Sequence, residues 1–302
     1  MREKVDAVQR MQDYIESHLG AQITLEQLAA AGGYSPWHAT RVFKEIVGIP
    51  PSEYLRARRL SQAALQLRDT ADRVLDVALD AAFESHEGFT RAFSERFSLT
   101  PEQYRKGAHP LALFLPRSAR DFFLHTSKGG CDMTEQTRTT TIFVQAVERP
   151  ARKLILLRGQ KATDYWGYCE EVGCDVWGTL TSVKGALNEP LGMWLPENLR
   201  TPGTSVYAQG VEMPADYAGP VPEGMEIIDL PSSKYMIFQG EPYDDEQMGQ
   251  AIAQVWRAME NYKPELYGWE WADEMGPRFQ LAPLGERGYI EGRPVREAKR
   301  GS

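Results

Sequence analysis

Apolar residues recur at helical spacing from the start of the chain: Val5, Val8, Met11, Tyr14 and Ile15 fall on one face of a 3.6-residue turn. The same period continues to about residue 107 with no alternating stretch between, which predicts an all-α segment over 1–107. Start signals divide it into separate helices. Thr24 followed by Gln27 is a capping box, and Ser35-Pro36 and Thr100-Pro101 each set a capping residue before a proline at the first helical position. From about residue 137 the texture becomes β-rich, in TIFVQAV, KLILLRG, SVYAQGV, KYMIFQG and LYGWEWA, with helical stretches at about 163–187 and 244–261. Helices alone followed by strands mixed with helices predict two domains of different class, an all-α domain over 1–107 and an α+β domain over 137–297. The second runs as two strand-helix-strand-strand halves, an architecture that leaves a groove between them for a ligand. Residues 108–136 link the two. Their first half carries Leu111, Leu113, Phe114, Phe122 and Phe123, which predicts that it packs on one domain.

Within the first domain, LEQLAAAGGYSPWHATRVFKEIVG holds a short capped helix, a glycine turn at Gly32-Gly33 and a second helix starting after Ser35. This is the grammar of a helix-turn-helix. About fifty residues on, VLDVALDAAFESHEGFTRAFSERFSLTPEQYR repeats it, with Phe89, Phe93 and Phe97 at i, i+4 and i+8 as the buried stripe. Trp37, His38, Thr40, Arg41 and Lys44, then His86, Glu87, Thr90 and Arg91, are left to project from the second helix of each unit. Between the units SEYLRARRLSQAALQLR, with no internal Gly or Pro, predicts a helix over about 52–68. Such a rod spans roughly 25 Å. With the offset of the helices it joins, that suits two recognition helices about 34 Å apart, one DNA turn. One copy of the chain then suffices for two successive major grooves of double-stranded DNA.

Charge tests that reading, because the 302-residue chain carries a net charge of -8 whereas DNA-binding domains are usually basic. The excess acid lies in the back half. Residues 1–107 hold 14 Lys and Arg against 15 Asp and Glu. Arg41, Lys44, Arg56, Arg58, Arg59, Arg91, Arg96, Arg105 and Lys106 fall in or just after the segments assigned to DNA, so a local basic face is expected. Cys131, Cys169 and Cys174 and five scattered histidines form no ligand set, and neither metal nor cofactor is expected. No apolar run approaches the roughly 18 residues of a membrane span. The charged, amphipathic N-terminus lacks the features of a secretory signal, so a cytoplasmic location is expected.

WHATRVFK (37–44), RARRLS (56–61), VLDVAL (74–79) and FTRAF (89–93) resemble the AraC/XylS family of transcription activators, and within it the Rob and MarA branch. The resemblance covers about a third of the chain. It implies that Trp37, Thr40 and Arg41, and in the second unit His86, Glu87, Thr90 and Arg91, meet bases or flanking phosphates, and that RNA polymerase is a partner. Ala82 stands where that family commonly has glycine, and Glu87 where the branch carries an amide. A carboxylate accepts from cytosine N4 but is repelled by phosphate.

The strand order of the second half, with YGWEW and the closing YIEGRPV, resembles the GyrI-like ligand-binding domain. In that family a buried glutamate ringed by aromatics faces a cationic or planar apolar ligand. Position before the last strand implies Glu270 here, with Trp269, Trp271, Tyr165, Trp166, Trp194 and Tyr207 as the aromatic wall. Alternation along a strand puts Glu270 on the face opposite Trp269 and Trp271. An acid in an aromatic box suits a lipophilic cation, as in multidrug binding. Glu170 and Glu171 read as a solvated helix face.

A ligand-controlled DNA-binding regulator is therefore the expected function. One alternative is a GyrI-like hydrolase using Glu270 or Glu291 with a nearby tyrosine as acid and base. No nucleophile motif or phosphate-cradling loop supports catalysis, and a non-enzyme is expected. The other alternative is a back half that docks a protein partner and binds no ligand.

Overall fold

Apolar stripes at helical spacing cannot stay in water, and α1 (Arg2–Ser17), α2 (Leu25–Gly32), α3 (Pro36–Val47) and the start of α4 (Pro51–Asp69) bury theirs together. Val5, Val8, Met11 and Ile15 of α1 meet Leu28, Val42, Phe43, Ile46 and Tyr54 in one core. A second core forms from the rest of α4 (Leu60, Ala64, Leu67) with α5 (Val74–Asp80), α6 (His86–Phe97) and α7 (Pro101–Gly107), centred on Phe89, Phe93, Phe97 and Tyr104. The computed structural model describes residues 2–116, 141–173 and 175–298. It divides into two compact units, Met1–Gly129 with Ser182–Lys184 and Gly130–Thr181 with Gly185–Ser302. Leu111 and Leu113 belong to the second helical core, and Phe114 lies edge-on to Tyr54 at 5.3 Å. The apolar start of the linker is thus part of the helical unit; Phe122 and Phe123 lie outside the described residues.

The caps follow the sequence with one exception. Thr24 and Thr100 both form capping boxes, with Gln27 and Gln103, whereas Ser35 precedes Pro36 without a side-chain cap bond. Each helix-turn-helix turn is closed by the same pair of backbone bonds. Gly33 N–H donates to the Ala30 carbonyl and Tyr34 N–H to that of Ala29; Ala82 N–H donates to Leu79 and Phe83 N–H to Ala78. The αL residue that this Schellman geometry requires is Gly33 in the first unit, at φ 75°, but Ala82 in the second, at φ 54°. A Cβ there costs about 1–2 kcal/mol.

Three arginines of the expected basic face are structural. Arg58 is buried: its Nε and Nη2 each donate to Glu16 at 2.8 Å, and its Nη1 donates to the Phe114 carbonyl. Arg59 donates to the carbonyls of Leu19 and Ala21, and Arg105 to Glu102 and the Asp72 carbonyl.

The second unit is an antiparallel sheet of nine strands among the described residues: β1 (Phe143–Arg149), β2 (Arg152–Arg158), β3 (Leu191–Trp194), β4 (Tyr207–Pro214), β5 (Glu226–Leu230), β6 (Ser233–Gln239), β7 (Trp269–Trp271), β8 (Arg278–Gln280) and β9 (Ile290–Glu297). Helices α8 (Tyr165–Val172) and α9 (Val176–Ser182) lie between β2 and β3, and α10 (Met248–Asn261) between β6 and β7. The strand order is β1-β6-β9-β8-β3-β4-β2-β5, with β7 also on β9. Exchanging β1 with β5, β2 with β6, β3 with β8 and β4 with β9 reverses this order and leaves it unchanged, so the two halves are related by a pseudo-twofold between β3 and β8. Each half gives its first strand to the other, since β1 pairs β6 and β5 pairs β2. Strand β5 is absent from the strand pattern read in the sequence, because EIIDL is short and mostly exposed.

Registers extend the symmetry to residues. Leu156 faces Gly210 across β2 and β4, as Ile237 faces Gly292 across β6 and β9. RKLILLRG (152–159) then corresponds to SKYMIFQG (233–240), and YAQG (207–210) to YIEG (289–292). One face of the sheet packs Leu154, Leu156, Leu191, Met193, Ala208 and Phe279; on the other, Phe238, Tyr289 and Val295 pack beneath Val255 and Met259 of α10.

The two turn residues give opposed expectations. Ala82→Gly removes the Cβ strain and raises stability by about 0.5–1 kcal/mol net of the added unfolded-state entropy, and Gly33→Ala lowers it by a similar amount. Urea denaturation of the full chain checks both signs.

Candidate functional site

The cores that bury Val42, Phe43 and Ile46 of α3, and Phe89, Phe93 and Phe97 of α6, leave the opposite side of each helix facing out. On α3, Trp37 is 72% exposed and Arg41 stacks on its ring at 5.2 Å. Thr40, Arg41 and Lys44 line a shallow concavity with Trp37, Leu25 and Glu45. His38 is turned partly inward, edge-on to Tyr34 at 4.5 Å, and the Thr40 hydroxyl donates to the Pro36 carbonyl. On α6, His86, Glu87 and Arg91 are exposed. Thr90 departs from the expectation: its hydroxyl oxygen is out of solvent and meets no partner among the described residues. Its β-branch faces the helix packing, not the outside.

In the second unit Glu270, the acid expected in an aromatic box, does not lie in one. Glu270 lies on β7, opposite Arg296 of β9 in register, and accepts from Arg296 Nε at 2.5 Å; its side chain is 34% exposed. Trp269 and Trp271 project to the other side, where Lys234 sits 5.2 Å from the first ring and Arg293 4.3 Å from the second. Strand alternation separates them from Glu270, and the three form no common wall.

An acid of the last strand is buried instead: Glu291, two residues after Tyr289, is fully excluded from solvent. Three donors meet it: Trp256 Nε1 from α10 at 2.7 Å, the Tyr289 hydroxyl at 2.9 Å, and Arg278 Nε from β8. Tyr289 is also bonded to Gln280 Oε1 at 3.1 Å. The guanidinium of Arg278 lies 4.9 Å from the ring centre of Trp194, which is edge-on to Tyr207 at 5.4 Å; Tyr207 in turn meets Tyr168 at 5.6 Å. Of the expected aromatic wall, Trp194 and Tyr207 therefore connect to the buried acid through Arg278. Tyr165 and Trp166 open α8, ring to ring at 5.0 Å, with Trp166 39% exposed.

Registers place Glu291 opposite Gln280, Gln280 opposite Gly192, and Gly192 opposite Gln209. These make one polar row across the four central strands. Gly192 is required there, since a Cβ would stand 2.3 Å from the Tyr207 hydroxyl. Gln209 is the pseudo-symmetric counterpart of Glu291, and both are buried. Its Oε1 and the Tyr207 hydroxyl are buried without a partner among the described residues.

Trp256, Arg278 and Gln280 escaped the sequence reading. The available signal was the echo of YAQG in YIEG, which sets Glu291 beside a tyrosine at a duplicated position. Glu171, read as solvated, accepts from the backbone N–H groups of Gln160, Lys161 and Ala162 and holds the loop before α8. Among the described residues no cluster of His, Cys, Asp and Glu could hold a metal ion, and no helix is long and apolar enough to cross a membrane.

Two helix-turn-helix units on one connecting helix define a paired DNA-binding module. A family model described as a helix-turn-helix domain matches residues 28–107. The transcriptional regulator Rob of Salmonella typhimurium is 46% identical over 95 residues, 32% of this chain and 33% of that protein. The HTH-type transcriptional activator AarP of Providencia stuartii is 38% identical over 109 residues, 35% of this chain and 81% of that protein. The match thus spans about a third of the Rob protein and most of AarP. A solved DNA-binding domain of AdpA in complex with a target DNA is 26% identical, covering 33% of this chain and 89% of that one, at a TM-score of 0.32. The chain belongs to the AraC/XylS family of helix-turn-helix transcription regulators.

Burial of the tyrosines around the site has a consequence for pH. Tyr168, Tyr207, Tyr235 and Tyr289 are all raised above the ordinary phenol value by burial, and Tyr289 further by the neighbouring Glu291 charge. Tyr104 of the helical unit is pushed up to about 12, again by burial. The fold favours the neutral phenol, so this stability is complete below the unfolded value of about 10 and is lost as pH rises above it. In an alkaline titration, the tyrosinate absorbance of these groups should appear late and together with loss of near-UV circular dichroism.

Proposed function

We propose that the chain is a transcription regulator whose two outward helices, α3 and α6, read successive major grooves of double-stranded DNA, and whose second unit is a GyrI-like effector domain. The observation that carries the reading is the exposed Trp37–Arg41 stack on α3, together with exposed Arg91 on α6, each on a helix whose other side is core. Arg41 and Arg91 are the principal base or phosphate contacts. Trp37 and Lys44 meet the sugar-phosphate backbone, and His38, Thr40, His86 and Glu87 flank them. Glu87 biases the second helix toward cytosine. Its mode of regulation is activation, through contact with RNA polymerase; AarP, similar over this domain, is a transcriptional activator.

The effector site is the cluster of Glu291, Tyr289, Trp256, Arg278 and Trp194. Support comes from a fully buried carboxylate that continues, through the polar row, to buried polar atoms at Tyr207 and Gln209 that have no partner among the described residues. Such atoms cost free energy unless something else bonds them. A planar small molecule with polar edges supplies both the stacking and the hydrogen bonds. A second reading rests on the Tyr289–Glu291 hydrogen bond, an acid/base pair for hydrolysis; recovery of bound ligand unchanged separates a sensor from a hydrolase.

Arg41→Ala and Arg91→Ala should each weaken binding to DNA selected from a random pool by about 1–3 kcal/mol at moderate salt. Wild-type affinity in both variants, in gel-shift titrations, would remove α3 and α6 from the interface. For the effector site, a compound that raises the melting temperature of the full chain should lose that effect in Glu291→Gln while DNA affinity without ligand stays unchanged.

A further inference from the structure

We infer that Arg278 sets the charge selectivity of the second unit's site, so that it takes an organic anion, a planar aromatic carboxylate, and turns away organic cations. This rests on the reading of the Glu291 cluster as an effector site. A buried carboxylate ringed by aromatics would by itself attract a lipophilic cation. Here the carboxylate is already neutralised. Arg278 Nε meets one oxygen of Glu291, while Trp256 Nε1 and the Tyr289 hydroxyl donate to the other.

The guanidinium is tethered to β8, the strand paired with β9 beside Glu291, so an incoming cation competes with a partner held at high effective concentration. Displacement would also leave two like charges side by side next to Trp194, whose ring centre is 4.9 Å from the guanidinium carbon. The same geometry favours an anion. Glu291 is fully buried, but the Arg278 side chain is 35% exposed and Trp256 is 40% exposed, so the arginine stands at the solvent side of the acid. Its two Nη groups meet no acceptor among the described residues, since its bonds are the one to Glu291 and the stack on Trp194. A planar guanidinium with its outer N–H groups open matches the two oxygens of a carboxylate, and Glu291 fixes it in orientation. Trp194, stacked with the guanidinium, and Trp256, bonded to the carboxylate, adjoin the ion pair and supply apolar surface for an aromatic body.

The test is calorimetric titration of the full chain with a matched pair of probes, naphthalene-2-carboxylate and naphthalen-2-yl-trimethylammonium. The wild-type chain should bind the carboxylate at least ~10-fold more tightly than the ammonium. Arg278→Met, which exposes the Glu291 charge, should reverse the order, and Arg278→Lys, which keeps the positive charge without the fork, should retain it with weaker carboxylate binding. Preference of the wild-type chain for the ammonium, or an unchanged order in Arg278→Met, overturns the role of Arg278 and leaves Glu291 as the site. Binding of neither probe by the wild-type chain or by either variant overturns the effector site itself and this inference with it. The wild-type comparison decides the matter even if Arg278→Met does not fold.

Discussion

A charge taken out of water must be matched where it lands, and three such charges organise this chain. The buried guanidinium of Arg58 is held by partly exposed Glu16, and joins the end of α1 to the middle of α4 and to the backbone at Phe114. Glu212 is fully buried between Arg152 and Arg149, at 2.6 and 3.0 Å. Glu291 is met by Arg278, Trp256 and Tyr289. Removing one partner of such a set leaves an uncompensated charge, which typically costs about 3–5 kcal/mol, far more than a surface ion pair contributes. Each set therefore fixes the relative placement of elements distant in sequence. In the helical unit it clamps the chain after α7 over both cores; in the sheet it ties β1, β2 and β4 together, and β8, β9 and α10.

Helix α4 shows how packing turns this constraint into function. Its first turns bury Tyr54 and Leu55 in one core and its later turns Leu60, Ala64 and Leu67 in the other, so the buried side changes along its 19 residues. At 1.5 Å per residue it spans about 28 Å. One rigid helix shared by two cores holds two recognition helices at a set separation, and neither can reorient without breaking its own core. The two turns that aim those helices use the same backbone bonds, once with glycine and once with alanine under strain. Strain at a residue that orients a recognition helix is tolerated because the aromatic stripe of α6 over-determines its position.

The sheet unit shows what duplication does to chemistry. Its strand order is palindromic and its halves echo each other residue by residue, yet the counterpart of Glu291 is Gln209. One half keeps a carboxyl group met by three donors; the other keeps an amide whose oxygen is buried without a partner among the described residues. A symmetric scaffold thereby carries an asymmetric polar row.

Much of this was legible in the sequence, because local physics decides it. The apolar period, the capping boxes at Thr24 and Thr100 and the paired helix-turn-helix units are written in residues a few positions apart, and the all-α and α+β halves follow from them. Other features depend on residues brought together only by folding. Arg58 and Arg59 look like any basic pair on a helix until Glu16 and the carbonyls of Leu19 and Ala21 are seen to claim them. The acid of the second unit could not be chosen by proximity to tryptophans in YGWEW, because a strand sends neighbours to opposite faces and Glu270 faces outward to Arg296. The sequence by itself determined the periods, the caps and the two classes of domain, which depend on neighbours along the chain. Only the tertiary structure decided which arginines stay outside and which acids lie buried beneath arginines, because burial and pairing are properties of what lies across space.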